Sequence, residues 1–267
     1  MPQELSSFGM SAILPNLAWG GKAHYPSKHI PASRTCTDFG DQLVCCVIRN
    51  TKDKLDDDRK GAIRHFRRER PRLAELEVWR QEWDRFVAPN FKLHTSPLRP
   101  ERVVADIREV LPDNAIISLD SGVHHNWFMQ FWEARMPQTM LNSWGFSAMG
   151  FGVSGILGAK LAAPDCTCVA ICGDGGFTMT PHVLCTAVEY EISCIWVVWN
   201  NFSWGAIRDI QYGMFGGREI GTAFYRGDNQ EPYNPDFAAI AHACGVHGVT
   251  VTRSQEFKGA LKHAIAL

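Results

Sequence analysis

The sequence predicts an α/β protein, with an open, mostly parallel sheet that carries helices on both faces. Short apolar runs alternate with amphipathic segments from about residue 97 onward, which is typical of βαβ units. One run, residues 194–199, is almost entirely apolar, as expected of a parallel strand that helices cover on both faces. The composition agrees, because 45% hydrophobic and 21% charged residues among 267 are usual for a globular protein.

Apolar runs of strand length predict four strands in this region. They span residues 115–119, 166–172, 194–199 and 246–251. Each is short and bounded by glycine, proline or polar residues, which favours a strand over a helix segment.

Prolines and capping residues predict the helices between these strands. Pro100 is expected to open a helix as its first-turn proline. The glycine-rich segment 144–158 leads into a second helix, which should end before Pro164. Thr180 is the expected N-cap of a third helix that runs to about Tyr190.

The last part of the chain is predicted to hold a long loop and two helices. The loop, residues 213–233, has a length that indicates function rather than connection. Asn234 and Pro235 are expected to cap a helix that closes at Gly245. Ser254 is expected to cap a helix that is still running where the chain stops, so we expect the domain to be truncated at its C-terminus.

Residues 1–90 are predicted as an N-terminal and linker segment that precedes a domain spanning 91–267. The apolar run 43–48 is a candidate strand, and apolar residues between 73 and 86 recur at helical spacing. The arginine-rich stretch 64–72 can be interpreted as a nucleic-acid patch or as a solvated helix face. The second interpretation is favoured, because no recognition motif accompanies the charges.

Charge, hydropathy and cysteine spacing narrow the class of protein. A net charge of −1 produces no field that attracts nucleic acid. No run approaches the about 18 apolar residues of a membrane span, and no secretory signal is visible. We therefore expect a cytoplasmic protein that binds neither nucleic acid nor a membrane. The nine cysteines lack C-x-x-C spacing, which favours reduced thiols over a zinc site.

The most specific chemical feature is Gly173-Asp174-Gly175, followed after 24 residues by Asn200-Asn201. Both pieces follow strands of one predicted βαβ unit, and the ends of such strands lie side by side. Carboxylate and amide oxygens suit Mg²⁺, which completes its shell with water and phosphate oxygens. Glycines and the N-terminus of the next predicted helix favour an anion here. The sequence therefore predicts a site for a cation and a phosphorylated ligand.

Three segments resemble thiamine diphosphate (ThDP) enzymes, and they follow one another along the chain in the same order as in that family. Residues 173–175 and 200–201 match the family's Gly-Asp-Gly and Asn-Asn motif. Residues 145–152 are similar to the acetolactate synthase segment that holds the thiamine pyrimidine, and residues 120–127 to a loop that contacts the diphosphate. The resemblance covers roughly residues 95–267 and is to the C-terminal ThDP-binding domain of the acetolactate synthase and 2-oxoacid decarboxylase group.

The resemblance implies roles for individual residues. Mg²⁺ would be held by the side chains of Asp174 and Asn201 and by the carbonyl group of Ser203, while Asn200 would order the turn. The residues implied to bind the cofactor are Ser121, Gly122, His124, Ser147, Met149, Gly173, Asp174, Gly175, Gly176, Phe177 and Asn201.

Several of these residues also have plainer interpretations. Met149 and Ser147 would position the pyrimidine ring, but Met149 is also a candidate core residue. His124 is equally compatible with an ordinary loop histidine. Two positions depart from the family pattern: Gly176 stands where many members have serine, and Val123 where synthases often have glutamine.

A second glycine pattern, residues 150–155, fits the G-x-G-x-x-G of dinucleotide-binding proteins. That fingerprint directly follows a strand, and residues 141–147 make a poor strand. A nicotinamide-dependent dehydrogenase is therefore the disfavoured alternative.

The resemblance also implies a reaction and a missing part. Enzymes of this group are lyases and transferases that decarboxylate a 2-oxoacid and pass the remaining unit to an acceptor. Their activating glutamate comes from a separate pyrimidine-binding domain, which residues 1–90 are too short to form. We expect a homodimer or tetramer, or a partner subunit that carries this domain. The alternatives are a subunit of a split 2-oxoacid decarboxylase and a non-catalytic fragment.

Overall fold

Parallel strands form the central sheet of this domain. The computed structural model describes residues 70–143, 145–227 and 231–267. The strands of the sheet are β1 (Ile116–Leu119), β2 (Met140–Asn142), β3 (Cys168–Gly173) and β4 (Ile195–Trp199), in the spatial order β2-β1-β3-β4. Every neighbouring pair is parallel, which confirms the predicted fold class.

Helices precede and follow these strands along the chain. In chain order they are α1 (Arg70–Val87), α2 (Pro100–Val110), α3 (Val123–Phe131), α4 (Phe151–Ala162), α5 (Asp174–Met179), α6 (Val183–Glu189), α7 (Gly205–Met214), α8 (Phe237–Ala243) and α9 (Ser254–Ala266), with a 3-10 helix at Asn90–Lys92. The helix predicted to open at Pro100 is confirmed as α2, with the proline in its first turn.

The core consists of apolar layers on the two faces of the sheet. Val169 and Ile171 of β3 pack with residues of α2, α3 and α9. Ala170 and Cys172 face the other way, where α4, α6 and α8 pack. All four side chains are completely buried. The strand is therefore apolar throughout because helices cover it on both sides.

The helix predicted between residues 73 and 86 is confirmed as α1. Its apolar stripe is largely exposed, since Leu76, Trp79 and Phe86 are each more than half accessible. Trp83 is the exception among these aromatic residues, because it stacks on Phe131 of α3 with ring centroids 6.0 Å apart.

The compact unit that the structure describes is Pro71–Leu267. The candidate strand at 43–48 and most of the arginine-rich stretch 64–72 lie outside the described residues. The boundary predicted at residue 90 stays a prediction. Within the described residues, no helix is both long enough and apolar enough to span a bilayer.

The strand predicted at residues 246–251 is wrong. The N–H of Val246 donates to the carbonyl of Ala241 at 2.8 Å. Gly248 then packs on the backbone of α8, where a Cβ would stand 2.5 Å from the carbonyl oxygen of Ala238. The segment therefore folds over α8 instead of extending the sheet beside β4.

Two helix caps differ from the prediction. The carboxylate of Asp236 caps α8, because it accepts a hydrogen bond from the N–H of Ala239 at 3.1 Å. Asn234, the expected cap, lies two residues earlier. Helix α9 includes Ser254 as its first residue, and Arg253 is the N-cap without a side-chain hydrogen bond.

The loop predicted at residues 213–233 contains more structure than expected. Its first residues end α7, and Ala223 forms an antiparallel bridge with Ser203. A short antiparallel pair follows, β5 (Tyr225–Arg226) with β6 (Glu231–Pro232). The described part of this segment is therefore anchored to the turn that follows β4.

Candidate functional site

The two motif turns lie side by side at the carboxyl edge of the sheet. β3 ends at Gly173 and β4 ends at Trp199, and these residues are opposite each other in the parallel register. Asp174 and Asn200 therefore follow directly from adjacent strand ends. The convergence expected from the βαβ connection is what the structure shows.

The Asp174 carboxylate is buried and held by several hydrogen bonds. The residue is 1% exposed. Its Oδ1 accepts from the N–H of Gly175 at 2.8 Å, while its Oδ2 accepts from the N–H of Ser203 at 3.3 Å and from Nδ2 of Asn234 at 2.8 Å. Burial raises the pKa of Asp174, and these hydrogen bonds oppose the rise. Among the described residues no lysine or arginine offsets this charge. A bound cation would therefore offset the free-energy cost of burying the carboxylate.

Asn234 belongs to the site although sequence reasoning missed it. Its Nδ2 group also donates to Oδ1 of Asn200 at 2.7 Å, and the same oxygen accepts from the N–H of Phe202 at 3.2 Å. Phe202 has a φ of +54°, a left-handed conformation that bulky residues rarely adopt. Asn200 thus orders the turn after β4. The Asn-Pro pair suggested a helix cap, and that interpretation concealed the contact with Asp174.

The helix that begins at the site is α5, not the helix predicted after Thr180. β3 passes into α5 at Asp174 without an intervening loop. Thr180 instead ends α5, and Pro181 has no N–H with which to continue it. Helix α6 begins at Val183, with His182 as its N-cap. The helix N-terminus at the motif turn is therefore that of α5.

Gly175 lies between side chains from two other parts of the chain. A Cβ at this position would stand 3.2 Å from the ring of Trp204 and 3.4 Å from Cε of Met149. Trp204 is held by edge-to-face packing on Phe224, with ring centroids 5.5 Å apart. Met149, to which the family resemblance assigns a role at the pyrimidine, therefore lies beside the motif turn.

Asp120 is a second buried carboxylate, and sequence reasoning did not select it. It is 1% exposed, directly follows β1, and accepts from the N–H groups of Gly150 at 3.1 Å and Gly152 at 3.0 Å. Burial raises its pKa. A Cβ on Gly176 would stand 2.1 Å from its Oδ2, so the glycine found in place of the family's serine is matched to this carboxylate. An acid immediately after an apolar strand was the available signal.

Ser121, Gly122, His124 and Ser147 form the other side of the site. The hydroxyl of Ser147 donates to that of Ser121 at 3.2 Å, which joins their two loops. The ring of His124 is 1% exposed, and its Nε2 donates to the carbonyl of Asp120 at 2.8 Å. Burial lowers the pKa of His124 to about 4, so the ring is neutral near pH 7. Gly122 rests directly on it, because a Cβ there would stand 2.6 Å from the ring.

The remaining predicted metal ligands flank the turn after β4. Ser203 is buried, and its N–H donates to Oδ2 of Asp174. Asn201 is exposed, and its carboxamide nitrogen lies 2.6 Å from the point where a Cβ on Gly205 would stand. No group of three or more His, Cys, Asp and Glu side chains in the described residues is arranged to hold a metal ion. A cation beside Asp174 would therefore need amide, carbonyl and ligand oxygens, which suit Mg²⁺.

The fold and the site together define an α/β cofactor-binding domain whose ligand site lies where parallel strands end. The chain belongs to the thiamine pyrophosphate (ThDP) enzyme family. The model of this family described as "Thiamine pyrophosphate enzyme, C-terminal TPP binding domain" matches residues 120–267. This match confirms the resemblance that the motifs indicated.

Individual relatives agree with the family. The chain is 31% identical over 202 residues to the "Probable acetolactate synthase large subunit" of Methanocaldococcus jannaschii, covering 72% of this chain and 33% of that protein. It is 27% identical over 196 residues to "Acetolactate synthase isozyme 3 large subunit" of Escherichia coli, with the same two coverages, 72% and 33%. A solved structure, "Rhodococcus jostii RHA1 thiamine diphosphate-dependent 4-hydroxybenzoylformate decarboxylase", matches with a TM-score of 0.58 and 26% identity, over 65% of this chain and 31% of that one.

The chain is thus an acetolactate synthase-like ThDP-binding domain. It spans about a third of the length of the relatives that it matches. One of these relatives, the solved structure, is named as a thiamine diphosphate-dependent decarboxylase.

Proposed function

We propose that this chain supplies the diphosphate- and Mg²⁺-binding half of a ThDP site that acts on 2-oxoacids by decarboxylation and carboligation. A second copy or a partner subunit would supply the pyrimidine-binding half with the activating glutamate. The observation that carries the proposal is Asp174, a buried carboxylate without a counter-charge among the described residues, at the end of a parallel strand.

The residues around Asp174 fit a hydrated divalent cation and a diphosphate. The carboxylate of Asp174, the carboxamide of Asn201 and the carbonyl of Ser203 would hold Mg²⁺, because all three offer hard oxygen ligands. The N–H groups of Gly176 and Phe177, in the first turn of α5, would donate to diphosphate oxygens.

The opposite loops would contact the rest of the cofactor. Ser121 and Gly122 would meet the diphosphate, while the neutral ring of His124 holds Gly122 in place from its buried side. Met149 and Ser147 would position the pyrimidine ring. When bound, ThDP supplies the electron sink that allows a 2-oxoacid to lose carbon dioxide.

Isothermal titration with ThDP, in the presence and absence of Mg²⁺, tests this proposal. We expect Mg²⁺-dependent binding that Asp174→Ala weakens by at least about tenfold, because it removes a charged ligand. Asp165→Ala, a change at an exposed acid, is the matched control and should bind as the unmodified chain does. Equal affinity of Asp174→Ala would contradict the metal assignment. A folded chain that binds no ThDP would contradict the proposal itself.

A second experiment separates a catalytic half from a non-catalytic fragment. It measures turnover of a 2-oxoacid after a pyrimidine-binding domain has been added to the chain.

A further inference from the structure

Asn234 lies outside both sequence motifs but contacts a residue of each. Its Nδ2 group donates to Oδ2 of Asp174 at 2.8 Å and to Oδ1 of Asn200 at 2.7 Å. A carboxamide nitrogen carries two protons, so both are used to join the turns that follow β3 and β4. The residue is separated by 60 positions from Asp174 and by 34 from Asn200.

The helix that follows does not account for this arrangement. α8 begins at Phe237 and is capped by the carboxylate of Asp236, which accepts from the N–H of Ala239 at 3.1 Å. The side chain of Asn234 is therefore not needed to start α8. In the part of the chain that the structure describes, its side chain donates to Asp174 and Asn200.

We propose that Asn234 is a positioning residue for the cation site, which holds the Asp174 carboxylate and the turn after β4 together before the cation binds. The inference rests on the proposed function, because it concerns the same Mg²⁺ ligands. Without Asn234, Oδ2 of Asp174 keeps the longer hydrogen bond from Ser203, at 3.3 Å. Asn200 would also lose the donor at 2.7 Å that holds its side chain. This matters because Oδ1 of Asn200 accepts from the N–H of Phe202, which has a strained left-handed conformation.

Two alanine variants separate positioning from helix capping. Asn234→Ala removes the link between the turns, whereas Asp236→Ala removes the cap of α8 and leaves the link. The first measurement is the Mg²⁺ concentration that gives half-maximal ThDP binding. The second is amide hydrogen exchange of the ligand-free chain, compared between residues 174–175, residues 200–204 and α8. Asn234→Ser, which keeps a short donor, replaces the alanine variant if that variant does not fold.

For Asn234→Ala we expect the half-saturating Mg²⁺ concentration to rise by about tenfold or more, as for other partners of metal ligands. ThDP affinity at saturating Mg²⁺ should recover to within about threefold, because Asn234 acts through the metal ligands. Exchange should accelerate at residues 174–175 and 200–204 but not in α8. Asp236→Ala should show the reverse pattern, with faster exchange in α8 and an unchanged Mg²⁺ requirement.

The proposal is overturned if Asn234→Ala keeps the Mg²⁺ requirement of the unmodified chain, or if its exchange changes in α8 instead of the two turns. If the unmodified chain shows no Mg²⁺-dependent binding of ThDP, the proposed function fails and hydrogen exchange alone decides the role of Asn234. In that case, unchanged hydrogen exchange of Asn234→Ala at residues 174–175 and 200–204 would refute the positioning role.

Discussion

Among the described residues, the buried ionisable side chains at the site include Asp120, Asp174 and His124, and burial shifts the pKa of the two carboxylates and that of the histidine in opposite directions. It raises the pKa values of Asp120 and Asp174, because it penalises the ionised carboxylate. It lowers the pKa of His124, because it penalises the imidazolium. The cost of burying the carboxylates is reduced by N–H groups that donate to them. His124 is itself a donor, because its ring N–H donates to the carbonyl of Asp120. The histidine therefore remains neutral and acts as a support for the loop.

The low pKa of His124 predicts a loss of stability in acid. The unfolded chain takes up a proton near pH 6.5 and the folded chain near pH 4, so the unfolded state binds more protons between these values. We expect the free energy of unfolding to fall by about 2 kcal/mol between pH 7.5 and pH 5 from this group alone. Urea unfolding at both pH values would measure it.

The raised pKa values of Asp120 and Asp174 make the folded state more stable as the pH falls, which opposes the effect of His124. A variant is therefore needed to isolate the contribution of the histidine to the pH dependence. His124→Gln should remove the loss of stability attributed to the ring, while His94→Gln, at an exposed histidine, should retain it. The same pH dependence in His124→Gln and in the unmodified chain would show that the ring is not the cause.

At the scale of elements, glycine allows α4 to pack directly on the end of β1. A Cβ on Gly152 would stand 2.5 Å from the backbone nitrogen of Asp120 and 2.8 Å from the carbonyl carbon of Leu119. The N–H of the same glycine also donates to the Asp120 carboxylate. The middle glycine of the G-x-G-x-x-G pattern at residues 150–155 therefore serves helix-to-strand packing. β2 ends at Asn142, well before this pattern, which agrees with the rejection of a dinucleotide fingerprint.

Two glycines of α4 give opposite predictions for the same substitution. Gly152→Ala should lower the free energy of unfolding by about 2 kcal/mol or more, because backbone must move to admit the methyl group. Gly158→Ala should raise it by about 0.5 kcal/mol or more, because the position is helical and exposed, with nothing within 4 Å of the new Cβ. Chemical denaturation of both variants checks this, and equal effects would contradict the packing argument.

At the scale of the whole molecule, the strand order brings distant segments to one edge of the sheet. The residue after β1, the turns after β3 and β4, the segment before α4 and Asn234 all meet there. A ligand bound at this edge would contact several parts of the folded chain at once. Binding there is therefore linked to the stability of the entire domain.

This linkage predicts which ligands stabilise the domain. At 100 times its dissociation constant, ThDP with Mg²⁺ should raise the free energy of unfolding by about 2.7 kcal/mol. Inorganic diphosphate with Mg²⁺ should also stabilise the chain, because the proposed contacts are to the diphosphate and the cation. Thiamine with Mg²⁺ is the control and should have little effect. Thermal unfolding measures all three, and stabilisation by thiamine equal to that by ThDP would contradict the assignment of the diphosphate half.

Local patterns in the sequence were sufficient for the fold class, for β1, β3 and β4, and for the motif turns at Asp174 and Asn200. Periodicity of apolar residues and the backbone needs of glycine and asparagine are properties of neighbouring residues, so they can be predicted without a structure. The same reasoning failed at residues 246–251. That segment has the composition of a strand, but the packing of Gly248 on α8 determines its path.

The tertiary structure alone decided which groups satisfy the buried carboxylates. Asp120 is paired with N–H groups 30 and 32 residues away, and Asp174 with a carboxamide 60 residues away. A buried carboxylate must be hydrogen-bonded, but no local pattern identifies a donor that arrives from a distant loop. The sequence by itself therefore determined the family and the two motif turns that come together. The fold determined that Asn234, which looked like a helix cap, is the residue that joins its two turns.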